Sequence, residues 1–301
     1  MNKLFILTIL IFMSSAFANI MAQVKFHYTQ YSYNPYIINP AYAGSSEALE
    51  MVASVRKQWM GIEGAPFSQV FAAHTPIKSK NLGIGLIIAN DKVGVHNNYK
   101  ISTSYAYRLK FKNGHTLSMG LQGGFYQQIS DYTEIIQSLP NNSDPAFNEA
   151  GSKQMKATFG TGLFYYAKNF YYGLSLLNIE TKEYFDNTQA FLSAGAVFNL
   201  SNNLVLQPAI LIKADKDSDL TSDISTNFIF NDVLWLGVSY RTFSSFNFLS
   251  QIQVTPQIRF GYSYDTAPKE LSNNLASGGH EIMLKYRFTF YRSRVITPRY
   301  F

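Results

Sequence analysis

The chain has no cysteine. That excludes a disulfide framework and any thiolate metal site. Charged residues make up only 15% of its 301 positions, where a soluble domain carries about 25%. No apolar run approaches the roughly 20 residues that a membrane-spanning helix needs; Leu4 to Met13 stops at ten. Signatures of catalysis are missing as well. The five histidines (His27, His74, His96, His115 and His280) include no pair at metal-ligand spacing. There is neither a G-x-S-x-G elbow nor a glycine-rich phosphate loop. Asp215, Asp217 and Asp219 have the 1, 3, 5 spacing of a calcium loop, but Leu220 and Thr226 stand where that loop needs Gly and Glu. We read this stretch as a solvated outer loop. The expectation is a non-enzymatic protein with no catalytic residue, no cofactor and no metal. The net charge of +6 comes without a Lys/Arg block, so nucleic acid is not an expected partner and a basic rim facing anionic lipid is.

What the chain does have is aromatic residues, 21 Tyr and 24 Phe among them, and a targeting segment. Met1-Asn2-Lys3 is a positive n-region, Leu4 to Met13 an apolar h-region, and Ala16-Phe17-Ala18 an A-x-A cleavage site. Residues 1–18 therefore read as a signal peptide, with cleavage after Ala22 as the alternative. An exported chain without a spanning helix must reside in a membrane, if it does so at all, by strands.

Strands are legible from Leu49 onward, because side chains of a strand face opposite sides in turn. Tyr99, Ile101, Thr103, Tyr105, Tyr107 and Leu109 oppose Lys100, Ser102, Ser104, Ala106, Arg108 and Lys110. Leu49, Met51, Ala53 and Val55 oppose Glu50, Ser54, Arg56 and Gln58. Ile282, Leu284, Tyr286, Phe288 and Phe290 oppose Met283, Lys285, Arg287 and Thr289. Further strands are expected near 67–77, 82–91, 115–127, 156–168, 170–178, 188–200, 204–214, 222–231, 233–243, 245–256 and 257–265. Many reach the roughly 9–11 residues of a tilted transmembrane strand. Tight turns at 78–80, 112–114, 168–169, 201–203 and 231–232 alternate with longer loops at 59–66, 91–98, 128–155, 179–187, 214–221 and 265–279. Short periplasmic turns and long outer loops mark a bacterial outer-membrane barrel. The fold class is thus all-β: a transmembrane antiparallel β-barrel of about 14 strands over 49–291, with a signal peptide before it. A periplasmic N-terminal segment (23–48) leads in, a basic tail (292–301) follows, and both termini are expected in the periplasm.

Aromatic pairs at strand ends (Tyr105 and Tyr107, Tyr165 and Tyr166, Tyr171 and Tyr172, Tyr262 and Tyr264) suit girdles at the membrane interfaces. Glycines 83, 85, 120, 123, 124, 160 and 162 lie within strands, where they would relieve crowding as the wall bends. Glu50, Arg56, Arg108, Arg241, Arg259, Glu281, Lys285 and Arg287 should face inward as a mixed-sign, mutually paired lumen. His280-Glu281 reads as a hydrogen-bonded barrel pair. An ion-selective pore, or a transport barrel for a small solute, stays open as an alternative.

The stretch ahead of the first strand holds two Asn-Pro turns: Asn34-Pro35, then Asn39-Pro40-Ala41-Tyr42-Ala43-Gly44-Ser45. It closely resembles the opening of the PorP/SprF family of type IX secretion and gliding proteins of Bacteroidetes-type bacteria. Arg56-Lys57-Gln58-Trp59 with Gly64-Ala65-Pro66-Phe67, then Asn90-Asp91-Lys92-Val93-Gly94 and Ser104-Tyr105-Ala106-Tyr107-Arg108, resemble it in the same order. So do Gly261-Tyr262-Ser263-Tyr264-Asp265 and Gly279-His280-Glu281-Ile282. The resemblance spans about residues 28–290. It implies an outer-membrane part of the type IX machinery that supports secretion or surface attachment of large adhesins with a C-terminal signal domain. The implied partners are periplasmic ring or lipoprotein components, adhesin C-terminal domains, and lipid. The candidate family-motif and partner-binding residues are Asn34, Pro35, Asn39, Pro40, Tyr42, Gly44, Trp59, Tyr262, Tyr264, Asp265, His280 and Glu281.

Overall fold

Period-two alternation makes every strand two-faced, and two-faced strands bury one side only if the sheet packs or closes on itself. Here it closes. The computed structural model describes residues 28–46, 48–77, 81–133, 151–180, 188–215, 220–242, 244–267 and 277–288. The signal peptide, His27, the turn at 78–80, Asp217, Asp219, Thr289, Phe290 and the basic tail lie outside them. Three short 3-10 turns, η1 (Thr29–Tyr33), η2 (Pro35–Ile37) and η3 (Pro40–Tyr42), come first. The strands are β1 (Leu49–Lys57), β2 (Phe67–Pro76), β3 (Leu82–Val93), β4 (His96–Lys110) and β5 (Thr116–Asp131). Then come β6 (Gly151–Tyr166), β7 (Phe170–Glu180), β8 (Gln189–Ala196), β9 (Phe198–Ser201) and β10 (Leu204–Asp215). The last are β11 (Thr221–Phe230), β12 (Leu234–Arg241), β13 (Ser245–Gln253), β14 (Ile258–Asp265) and β15 (Gly279–Phe288).

Each strand pairs antiparallel with the next, and β15 pairs with β1 from Leu49↔Phe288 to Lys57↔His280, which leaves no free edge. β8 and β9 both pair with β10 and are parts of one stave, interrupted at the buried Val197. Counted so, the wall has fourteen staves. No described helix is long and apolar enough to cross a membrane; the strands cross instead.

The two faces fall as the alternation requires. Ile101, Tyr105, Leu121, Leu174, Ile224 and Phe248 stand exposed on the outside, the composition of a lipid-facing band. Glu50, Ser54, Arg56, Ser102, Ser104 and Arg108 are buried on the inside. Asn231 and Asp232 take positive φ (51° and 55°) in their two-residue turn, as a tight hairpin demands.

Three expectations need correcting. Residues 91–98 form no long loop: β3 runs to Val93 and β4 starts at His96, so only Gly94-Val95 turns. Asp91 and Asn98 pair across the two strands, and polar residues there face inward rather than end the strand. The aromatic pairs do not all belong to girdles either. Tyr105 and Tyr172 face outward, whereas Tyr171 is buried and stacks on Phe164 (ring centroids 5.5 Å, 30°). Adjacent residues of a strand cannot share a face. Finally, Gly83, Gly85, Gly120 and Gly162 do more than ease a bend, because another part of the chain lies against them.

Candidate functional site

That part is the segment ahead of β1. Its Tyr, Asn and Pro content could not say where it lies; the contacts do. Residues 28–46 sit inside the barrel, touching strands all round the wall, rather than forming a separate lead-in. Tyr36, Ala41 and Ala43 are completely buried. Tyr33 Oη donates to Asn227 Oδ1 on β11 (2.8 Å) and Tyr36 Oη to Ser104 Oγ on β4 (3.1 Å). Asn39 Nδ2 donates to the carbonyls of Leu163 on β6 (2.9 Å) and Leu174 on β7 (3.4 Å), while its Oδ1 accepts from Ala41 N (2.9 Å) and so caps η3. The segment's own carbonyls are met too. Ser118 Oγ donates to Ala41 O (2.6 Å), Arg108 Nη1 to Ala43 O (2.8 Å) and Arg287 Nη2 to Ser46 O (2.7 Å). Irregular backbone survives at membrane depth only when its polar groups are satisfied in this way.

The wall is shaped for it. A side chain at Gly85 would strike the Tyr36 ring, at Gly120 the backbone of Ala41, at Gly162 the Asn39 amide, and at Gly83 the Ala43 carbonyl. Gly44 has φ +71°, where a Cβ is strained. Its N–H donates to His74 Nδ1 (3.1 Å). That ring lies edge-on to both Tyr36 (5.1 Å) and Tyr42 (5.6 Å), and Tyr42 stands edge-on to Phe164 (5.3 Å). On the other side Tyr33 packs with Val52, Val205, Ile229 and Trp235, and Arg259 stacks over Trp235 at 3.8 Å. These two clusters fill the short-turn half of the barrel.

Ion pairs fix the remaining inward charges. Thr29 Oγ1 donates to Asp265 (2.8 Å to each oxygen), and Thr29 N to Glu281 Oε2 (3.0 Å). Arg56 pairs with Asp265 and lies 4.0 Å from Glu281. Lys285 reaches Glu50 at 2.9 Å, and Arg241 grips Asp223 with two 2.9 Å bonds. Asp215, the one aspartate of the calcium-like triplet that is described, pairs with Lys213 at 3.5 Å. Above the segment, toward the long loops, a cavity of about 160 Å³ remains. Tyr28, Tyr31, Ile37 and Ile38 contribute to its lining, together with wall residues such as Asp91, Lys100, Glu180 and Arg241.

The candidate residues divide three ways. Asn34, Pro35, Asn39, Pro40, Tyr42 and Gly44 are buried in the lumen, where Asp265 and Glu281 meet them through Thr29. Tyr262, Tyr264 and His280 lie on the outer face, His280 Nδ1 within 2.7 Å of Tyr262 Oη and its ring 5.2 Å from that of Tyr264. His280 and Glu281 thus face opposite sides and form no dyad. Trp59, with φ 47°, is half-buried in the β1–β2 connection, next to the bridge between Met60 and Ser277. Thr29, Tyr33, Tyr36, Ser104, Ser118 and Asn227 were missed as site residues. Their signal is the small, uncharged character of many inward positions, which suits packing against polypeptide better than lining a water-filled pore.

The sequence pattern of type IX secretion system membrane proteins PorP/SprF matches residues 20–286. The chain belongs to the PorP/SprF family. It is therefore an outer-membrane component of the type IX secretion system, a membership that implies contacts with other parts of that machinery. No individual curated protein matches the sequence. Among solved structures, the Acinetobacter baumannii outer membrane protein Omp33 aligns at 9% identity and TM-score 0.50, over 80% of this chain and 98% of that one. Two variants of the Rhodopseudomonas blastica porin align at 8% and 9% identity and TM-score 0.37, over 80% of this chain and 99% of theirs. At such identities the likeness to Omp33 is one of fold alone. The family match also covers the lumen segment, so the contacts just described belong to the family-like part of the chain.

Proposed function

We propose that the protein is a non-enzymatic, self-closed barrel that supports secretion or surface attachment of large adhesins bearing a C-terminal signal domain. One observation supports it above the others: residues 28–46 fill the lumen and are bonded to its wall, so the barrel offers surfaces rather than a passage. A solute carrier would need water-lined space from mouth to mouth, and the clusters around Tyr36 and Tyr33 leave none in the short-turn half. In this reading cargo docks on the long-loop face, where the cavity opens. Periplasmic ring or lipoprotein components meet the short turns. The family-motif residues of the lumen act on partners indirectly, by holding the shape of the two rims.

The test is a clean deletion followed by surface proteolysis and proteomics of cells and medium. Large adhesins with the C-terminal signal are expected to disappear from the cell surface while other exported proteins persist. Loss of every cargo of that class would make the protein a core secretion component instead. An unchanged exported proteome would overturn the proposal.

A further inference from the structure

The lumen segment has a direction. At one end Thr29 binds Glu281, the third residue of β15, and Asp265, the last residue of β14. At the other end the Ser46 carbonyl accepts from Arg287, next to the last residue of β15. Along that one strand the contacts are six residues apart, about 20 Å at roughly 3.3 Å per residue. Between them Tyr36, Ala41, Ala43 and Gly44 follow in order toward the short-turn rim, meeting Ser104, Ser118, Arg108 and His74. Tyr28 stands at the long-loop mouth as part of the cavity lining. β1 begins, and β15 ends, at the opposite rim.

We infer that the chain preceding Tyr28 leaves the barrel on the long-loop face, so that the two ends of the exported chain lie on opposite sides of the outer membrane. A return path downward is closed: Tyr36, Tyr42 and Phe164 on one side, and Tyr33, Ile229 and Trp235 on the other, occupy the lumen below. The separation of the two ends holds whichever way the barrel stands. With the long loops outward, the N-terminal extension is displayed at the cell surface beside the cavity, where a partner arriving from outside meets it first. Both ends in the periplasm, the arrangement expected from loop lengths alone, is incompatible with this path. The inference rests on the course of the segment and not on which cargo the protein serves.

The absence of cysteine makes the test direct. Lys25→Cys lies downstream of both candidate cleavage sites, and Ser293→Cys lies in the tail. Intact cells carrying each variant are treated with a membrane-impermeant maleimide, before and after permeabilisation of the outer membrane. The expected result is full labelling of Lys25→Cys in intact cells and labelling of Ser293→Cys only after permeabilisation. Because a single thiol could be shielded at the mouth, an epitope tag between Gln23 and Val24 is probed with antibody in parallel, on a barrel whose heat-modifiable mobility shows it folded. Antibody binding to intact cells supports the inference. A folded barrel whose tag and Lys25→Cys respond only after permeabilisation, or whose two ends label from the same side, overturns it. Normal adhesin display in these strains would show that such a failure concerns the path and not the proposed function.

Discussion

Arg56→Ala is expected to cost about 3–5 kcal/mol of barrel stability, the range for removing one partner from a buried ion pair. Arg56 is only 4% exposed and stands between two carboxylates, Asp265 and Glu281, that are equally hidden. Both also bind Thr29, so the guanidinium neutralises the anchor of the lumen segment as well as the β1–β15 seam. Without it two like charges share a dry site with no cation between them. Arg56→Lys keeps the charge and loses the planar fork, so its loss should be smaller. The check is the denaturant midpoint of the purified barrel in detergent, followed by the mobility of the heat-modifiable folded form. An unchanged midpoint for Arg56→Ala would mean that the cluster does not hold the seam.

The wall glycines carry the second large effect. A Cβ at Gly120 meets the backbone of Pro40 and Ala41, which cannot give way unless the whole segment moves. Gly123, three residues along the same strand, has nothing within 4 Å of that position. Gly120→Val should therefore displace the segment while the ladder of β4, β5 and β6 persists, and Gly123→Val should leave it in place. Overpacking costs typically about 1–3 kcal/mol when side chains can adjust; backbone against backbone allows less adjustment. The reporter is a thiol at the fully buried Ala43. Ala43→Cys is expected to resist a soluble maleimide alone and with Gly123→Val, and to react with Gly120→Val. Equal protection in both double variants would mean that the seat is not shaped by glycine.

The wall was legible because it is periodic. Strands 99–110 and 282–290 show their two faces residue by residue, and the inward placement of Glu50, Arg56, Arg108 and Glu281 follows from parity alone. The boundaries were less legible where polar residues are inward rather than terminal, as at Asp91 and Asn98. The lumen segment was invisible as such. Its 3-10 turns have no period to read, and an Asn-Pro turn has the same sequence in a solvated lead-in as in a filled barrel. Its partners on the wall are Ser, Asn and Gly, spread over strands that lie up to about 250 residues away in the chain, as Thr29 and Glu281 do. Glycines were read as relief for curvature because the chain gives no sign of a second backbone approaching them. The resemblance to PorP/SprF proteins located the right residues without their environment: six of the twelve candidates lie inside the barrel, where no outside partner reaches them directly.

The claim that the barrel is closed by its own N-terminal segment is tested most directly by single-channel recording of the purified protein in planar bilayers. The account predicts no stepwise conductance for the wild type and discrete openings for Gly120→Val under the same voltage and salt. Steady wild-type conductance that is unchanged in Gly120→Val would contradict it and make the barrel a pore.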